Sequence, residues 1–272
     1  KQGLYCTSMS DSFRPKNLLQ LIRFNEPAGT MLMLWPILGA LWIAAEGVPE
    51  VRTLGIFVVG TILMRSAGSI IDDILDQNLD KAAQPTNLRA PATAALGLNA
   101  AVALFVMLCL SAFALVLFTN ALTMGLAIVA FLIGSTYPYS KRHTHLSQIV
   151  WSAAFCWGIP MAFAAQLGEL PATLWLFYLA HLIWAVIYNT QRAMVDRDKH
   201  LKKGIKSTAL LLGDSDRLIL GSLQAICLLA LVLAGQRFEL GQPYNISLVI
   251  VAGLFYYHLQ LIQQRTRQAC LK

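Results

Sequence analysis

The chain predicts an all-α, polytopic membrane bundle, and three observations carry that reading. Of its 272 residues 57% are apolar and only 13% charged, with a mean hydropathy of +0.58, far from the soluble average. The apolar residues gather into eight runs, each near the roughly 20 residues that a helix needs to cross a bilayer. The basic residues gather on alternate loops, the pattern expected of a chain that threads a membrane back and forth.

Residues 1–17 form a polar N-terminal segment, expected to be partly disordered. Position 1 is Lys, so Met9 is the expected natural start. The long polar stretch before the first apolar run, which continues as a full span, does not read as a cleavable signal. Spans are predicted near Ala28–Ala45, Leu54–Ile71, Leu98–Phe118, Ala121–Tyr137, Ile149–Ala165, Leu174–Tyr188, Leu218–Gly235 and Ile246–Ile262. Outer loops are short, Thr119–Asn120 among them, and no Pro/Gly/Ser-rich linker divides the chain, so residues 18–272 read as one transmembrane domain. Small residues and prolines in LWPILGA, GSTYP and FCWGIPMAF allow close helix packing or a local break.

Of the 21 Lys and Arg, Arg65 lies inside a span and only Arg52 and Arg237 fall on the side opposite the rest. The side with the excess faces the cytoplasm. The net charge of +7 is therefore a topology signal, and a nucleic-acid partner is excluded on this composition. Cys6, Cys109, Cys156, Cys227 and Cys270 show no metal-ligand spacing and read as packing residues.

The chemistry concentrates in IIDDILDQNLD, residues 70–80, directly after the second span. Asp72, Asp76 and Asp80 recur every four residues and Asp73 lies three before Asp76, so on a helix most of these carboxylates share a face. Crowded hard oxygen ligands suit Mg²⁺, which prefers a few carboxylates plus the oxygens of a substrate phosphate. A solvated, helix-capping loop is the blander reading, but Arg65 in the preceding span argues against it, because charge at membrane depth is costly and usually functional. Arg65 reads either as a snorkelling anchor or as the receiver of an anionic substrate group. TYPYSKRHTH closes the fourth span, and Lys141 and Arg142 read as a topological anchor or a clamp on diphosphate oxygens. A third segment, YNTQRAMVDRDKHLKKGIKST from Tyr188 to Thr208, places Asp196 and His200 at i, i+4, where they can share a metal or a phosphate. Asp72 and Asp196 lie about 124 residues apart, a weak sign of two pseudo-equivalent halves whose cytoplasmic loops meet over one cavity. His143, His145, His181 and His258 have no partner spacing.

Together LIRFNEPAGTMLMLWP, MRSAGSIIDDILDQNLD, STYPYSKR, WGIPMAFAA and YNTQRAMVDRDKHLKKGIKSTALLLG resemble the UbiA family of intramembrane prenyltransferases, over nearly the whole chain from Leu18 onward. The resemblance is to the branch that prenylates 4-hydroxybenzoate in ubiquinone synthesis. It implies an all-helical enzyme of the bacterial inner membrane, with Asp-rich motifs on cytoplasmic loops. It further implies Mg²⁺ as cofactor, polyprenyl diphosphate and 4-hydroxybenzoate as substrates, and transfer to the ring carbon ortho to the hydroxyl. On the family's motifs, Asp73, Asp76 and Asp196 with Arg65 are the implied catalytic group, and Asp72, Asp73, Asp76, Asp80, Asp196 and His200 the implied metal set. Lys141, Arg142, Lys206 and Arg89 are implied for the diphosphate, and Tyr137 with Arg65 for the aromatic acid or the reacting centre.

Departures from the family pattern accumulate. Asp72 replaces the Asn that opens the first motif. His200 replaces the closing Asp of the second, Asn189 replaces the Asp after Tyr188, and Arg192 a Tyr. Pro85 opens the family's R-T-x-x-R-P stretch. The resemblance leads to a ninth span, and eight are read here, which is expected of either a truncated product or a partial gene model. Two alternatives therefore stand beside the enzyme: a decayed, non-catalytic paralogue that binds prenyl lipids, and a sibling enzyme with another aromatic acceptor.

Overall fold

The computed structural model describes residues 27–80, 98–144, 147–195, 211 and 216–262, and the elements among them are all helical. In chain order these are α1 (Pro27–Ala44), α2 (Val51–Asp80), α3 (Leu98–Val116), α4 (Ala121–His143), α5 (Ser147–Cys156), α6 (Gly158–Leu167), α7 (Leu174–Val195), α8 (Asp216–Arg237) and α9 (Gly241–Ile262). With α5 and α6 as two halves of one rod, each of the eight predicted spans has its helix.

By length and composition, five stretches can cross a membrane: Val51–Ile74 in α2, Leu98–Val116, Ser147–Leu167, Asp216–Arg237 and Gly241–Leu261. Ala28–Ala44 and Ala121–Tyr137 are apolar but shorter. The outward faces carry large apolar side chains such as Leu110, Leu132, Leu229 and Val249, all exposed. In water such a surface is a liability, whereas lipid tails solvate it at no cost. The chain is an integral membrane protein.

Two compact units are distinguished, and the division of α1 between them falls at Pro36. In the first, α2 packs along α3 through Ala67, Ile70 and Ile74 against Ala101 and Leu108. Hydroxyls on α2 are satisfied within the helix, as a lipid-embedded segment requires: Thr61 donates to the Phe57 carbonyl at 2.7 Å and Ser66 to that of Ile62 at 2.8 Å. At the far end of the pair, the Arg52 guanidinium sits 5.8 Å from the centre of the Phe118 ring, a cation–π contact for one of the two cations on that side.

In the second unit α7 is the hub, packing against α5, α6 and α8, while α4 packs on α5 and α6 and α9 on α8. Asn120 caps α4: its Oδ1 accepts from the Thr123 N–H and hydroxyl, each at 2.8 Å, and its Nδ2 donates to the Ala164 carbonyl of α6. The single rod predicted over Ile149–Ala165 is broken at Trp157. There the indole Nε1 donates to the Leu126 carbonyl of α4 at 3.0 Å, and Gly158 lets α1 approach so closely that a Cβ would lie 2.5 Å from Ile37 Cδ1. Cys156 and Cys227 are buried packing residues, Cys227 donating to the Ala180 carbonyl at 3.3 Å. Cys6 and Cys270 lie outside the described residues.

Candidate active site

The acidic segment expected on a cytoplasmic loop is instead the last third of α2, which runs unbroken to Asp80. Hydropathy falls at the membrane surface, but nothing in DDILDQNLD stops a helix: no Gly or Pro intervenes, and Leu75 and Leu79 continue the apolar spacing. The helix then fixes the phase of the site. Ala67, Ile70 and Ile74 face α3, whereas Arg65, Ser69, Asp72, Asp76 and Asp80 occupy the opposite register, spaced 4, 3, 4 and 4. Asp72 therefore stands two turns, about 10 Å, along the helix from Arg65. Both are half-buried, as is Asp73.

Arg65 is held from two sides. Its Nη1 donates to Ser69 Oγ at 2.6 Å, and that hydroxyl donates back to the Arg65 carbonyl at 3.0 Å. Gly29 of α1 lies against the guanidinium, so close that a Cβ there would meet Nη2 at 2.7 Å. Neither Gly29 nor Ser69 was among the residues singled out by sequence; the signals available were a serine at i+4 from an intramembrane cation and a glycine within a helical run.

The end of α2 is electrostatically unusual. A helix C-terminus carries partial negative charge and ordinarily attracts cationic side chains. Here four Asp residues fall among the last nine positions of the helix and no basic residue occupies the last turn. Such an end fits a divalent cation, and the donors are the hard oxygens that Mg²⁺ selects. Among the described residues no group of three or more His, Cys, Asp or Glu side chains forms a metal cluster. Asp196 and His200, the rest of the predicted donor set, lie outside those residues, as do Arg89 and Lys206.

Elsewhere, Tyr137 packs its ring 4.7 Å from that of Trp151, joining α4 to α5. Lys141 and Arg142 fall in the last turn of α4, three and four residues after Pro138. Asn189, where the resemblance led to an Asp, donates from Nδ2 to Ser152 Oγ at 3.0 Å and ties α7 to α5. That contact makes it an interhelical strut. His181, left without a role by its spacing, contacts the Phe177 carbonyl at 2.9 Å through Nδ1 and packs at a tilt against the Phe177 ring, 4.2 Å between centroids, an intrahelical packing role.

The UbiA prenyltransferase family model matches residues 33–272. The chain is 48% identical over 259 residues to a protein of Stutzerimonas stutzeri (strain A1501) named 4-hydroxybenzoate octaprenyltransferase, covering 95% of this chain and 87% of that one. It is 46% identical to the protein of the same name from Hahella chejuensis (strain KCTC 2396), covering all of this chain and 91% of that one. Among solved structures, the apo UbiA homologue from Aeropyrum pernix K1 superposes with a TM-score of 0.76 at 18% identity, covering 89% of this chain and 91% of that one. The Archaeoglobus fulgidus UbiA homologue bound to GPP and Mg²⁺ superposes with a TM-score of 0.70 at 15% identity, covering 92% and 88%. The fold is thus that of the intramembrane prenyltransferases, and the chain belongs to the UbiA prenyltransferase family.

Proposed function

We propose that the chain transfers a polyprenyl group from its diphosphate to the ring carbon ortho to the hydroxyl of 4-hydroxybenzoate, a step of ubiquinone biosynthesis in the bacterial inner membrane. The observation that carries this reading is identity of 48% along 95% of the chain with a 4-hydroxybenzoate octaprenyltransferase. The polar face of α2, with a seated Arg65 two turns from the acidic end, supports it.

Asp72, Asp73, Asp76, Asp80, Asp196 and His200 would hold Mg²⁺, which when bound supplies Lewis-acid charge neutralisation to the departing diphosphate. Lys141, Arg142, Lys206 and Arg89 grip diphosphate oxygens from the basic, cytoplasmic side and stabilise the charge that develops as the C1–O bond breaks. Arg65 receives the carboxylate of the aromatic acid, a pairing for which a planar guanidinium is suited. Tyr137, braced on Trp151, stands by the reacting ring. The apolar walls of the helices keep water from the allylic cation until the ring carbon attacks it; the ortho C–H proton is then lost to the departing diphosphate, and the ring regains its aromaticity. Residues 18–272 act as one domain in this scheme.

Membranes containing the chain, given Mg²⁺, a polyprenyl diphosphate and labelled 4-hydroxybenzoate, are expected to yield lipid-soluble label that vanishes with EDTA. Label that never enters the lipid phase, with prenyl-lipid binding retained, overturns the enzyme reading in favour of a decayed paralogue. Label that enters only with a different aromatic acceptor assigns the chain to a sibling reaction.

A further inference from the structure

We infer that Gly29 and Ser69 form a seat that sets the direction of the Arg65 guanidinium, and that both are positioning residues for the aromatic acid; the inference rests on the reading of Arg65 given above. A guanidinium on a flexible stem, inside a membrane, must be aimed if it is to meet a carboxylate as a fork. Geometry of this kind is worth large factors in rate and affinity.

Ser69 supplies one fixed point. It is fully buried, and its hydroxyl hydrogen is directed to the Arg65 carbonyl at 3.0 Å, so that Oγ presents lone pairs to Nη1 at 2.6 Å. The bond is charge-assisted, because its donor is the guanidinium. The Arg65 side chain is thereby folded along its own helix, one turn towards Asp72.

Gly29 supplies the second. It lies in the first turn of α1, where an alanine is ordinarily accommodated. Here a Cβ at position 29 would sit 2.7 Å from Nη2, 3.0 Å from Nε and 3.3 Å from Cζ of Arg65. The α1 backbone is thus flush against the Nε/Nη2 edge of the guanidinium while Ser69 holds Nη1. The three atoms nearest a methyl group at position 29 all belong to the tip of a flexible side chain, so the guanidinium is expected to move and the helices to stay where they are.

The test is steady-state kinetics on membranes with 4-hydroxybenzoate and a polyprenyl diphosphate varied separately, for Gly29→Ala, Ser69→Ala, Arg65→Met and Gly29→Ala/Arg65→Met. Gly29→Ala is expected to raise the KM for the acid about tenfold, and Ser69→Ala about fivefold, the size of a lost or misaligned charge-assisted hydrogen bond. The KM for the diphosphate should stay within about twofold, a split that a merely loosened fold does not produce. In the Arg65→Met background the added Gly29→Ala should change nothing further, because the group it displaces is gone. Full additivity, or an acid KM unmoved by both Gly29→Ala and Ser69→Ala while Arg65→Met raises it, overturns the seat and leaves the Arg65 reading standing. An acid KM unmoved by Arg65→Met overturns the Arg65 reading, and the seat with it. Ser69→Ala removes one oxygen without adding bulk, so it carries the test if Gly29→Ala does not accumulate.

Discussion

Asn189 shows how a single side chain separates a structural from a chemical reading. By motif the position belongs to the acidic second segment; by contact it bridges α7 to α5 through Ser152, which is fully buried. A carboxylate at position 189 accepts from the same serine hydroxyl that now receives the amide, because a hydroxyl serves as donor or acceptor. Asn189→Asp is therefore expected to leave the Mg²⁺ concentration for half-maximal activity within about twofold, whereas Asp76→Asn raises it at least about tenfold, the scale for loss of a metal-ligating group. A large Mg²⁺ shift in Asn189→Asp would place that residue back among the ligands. Arg65 was legible as a charge where charge is costly, and Ser69 lies at helical spacing from it. Gly29 was not legible as its neighbour, because no local pattern links the first turn of α1 to the middle of α2.

Helices were the most legible level, for a simple reason: crossing a bilayer demands a run of apolar residues whose length is fixed by the membrane. Their ends were less so. Composition changes at the surface of the bilayer, yet α2 continues to Asp80, α4 to His143 and α7 to Val195, beyond the predicted Ile71, Tyr137 and Tyr188. Backbone hydrogen bonding does not stop where hydropathy does. The break at Trp157 was visible only as the small-residue segment FCWGIPMAF, since its cause is tertiary: an indole reaching the Leu126 carbonyl and Ile37 packed on Gly158. Gly158→Val places bulk into the Ile37 contact and is expected to destabilise the protein by about 1–3 kcal/mol, the usual cost of overpacking. Thermal unfolding in detergent checks this; an unchanged midpoint would mean that α1 and α6 have room to spare.

At the scale of the whole molecule, the acidic end of α2 and the segment beginning at Asp196 are proposed to act on one diphosphate. The spacing of about 124 residues between Asp72 and Asp196 gave only a weak sign of that meeting; composition reports on elements one at a time, and the rest was reached through the family's motifs. His200 is the departure that bears on it most, a softer nitrogen ligand where Mg²⁺ favours oxygen. His200→Asp is expected to raise activity at limiting Mg²⁺ severalfold and to change it little at saturation. Titration of membrane activity against Mg²⁺ measures both, and superimposable curves would remove position 200 from the metal set.

The unbroken course of α2 makes it a ruler. Arg65 and Asp72 are seven residues apart on one continuous helix, so the points proposed to hold the two anionic substrates are separated by a constant rise of about 10 Å and a twist of only about 20°. Neither backbone position can drift relative to the other without melting the helix in between, so the spacing of the two anchor positions is set by helical hydrogen bonding and survives the softness of the surrounding lipid.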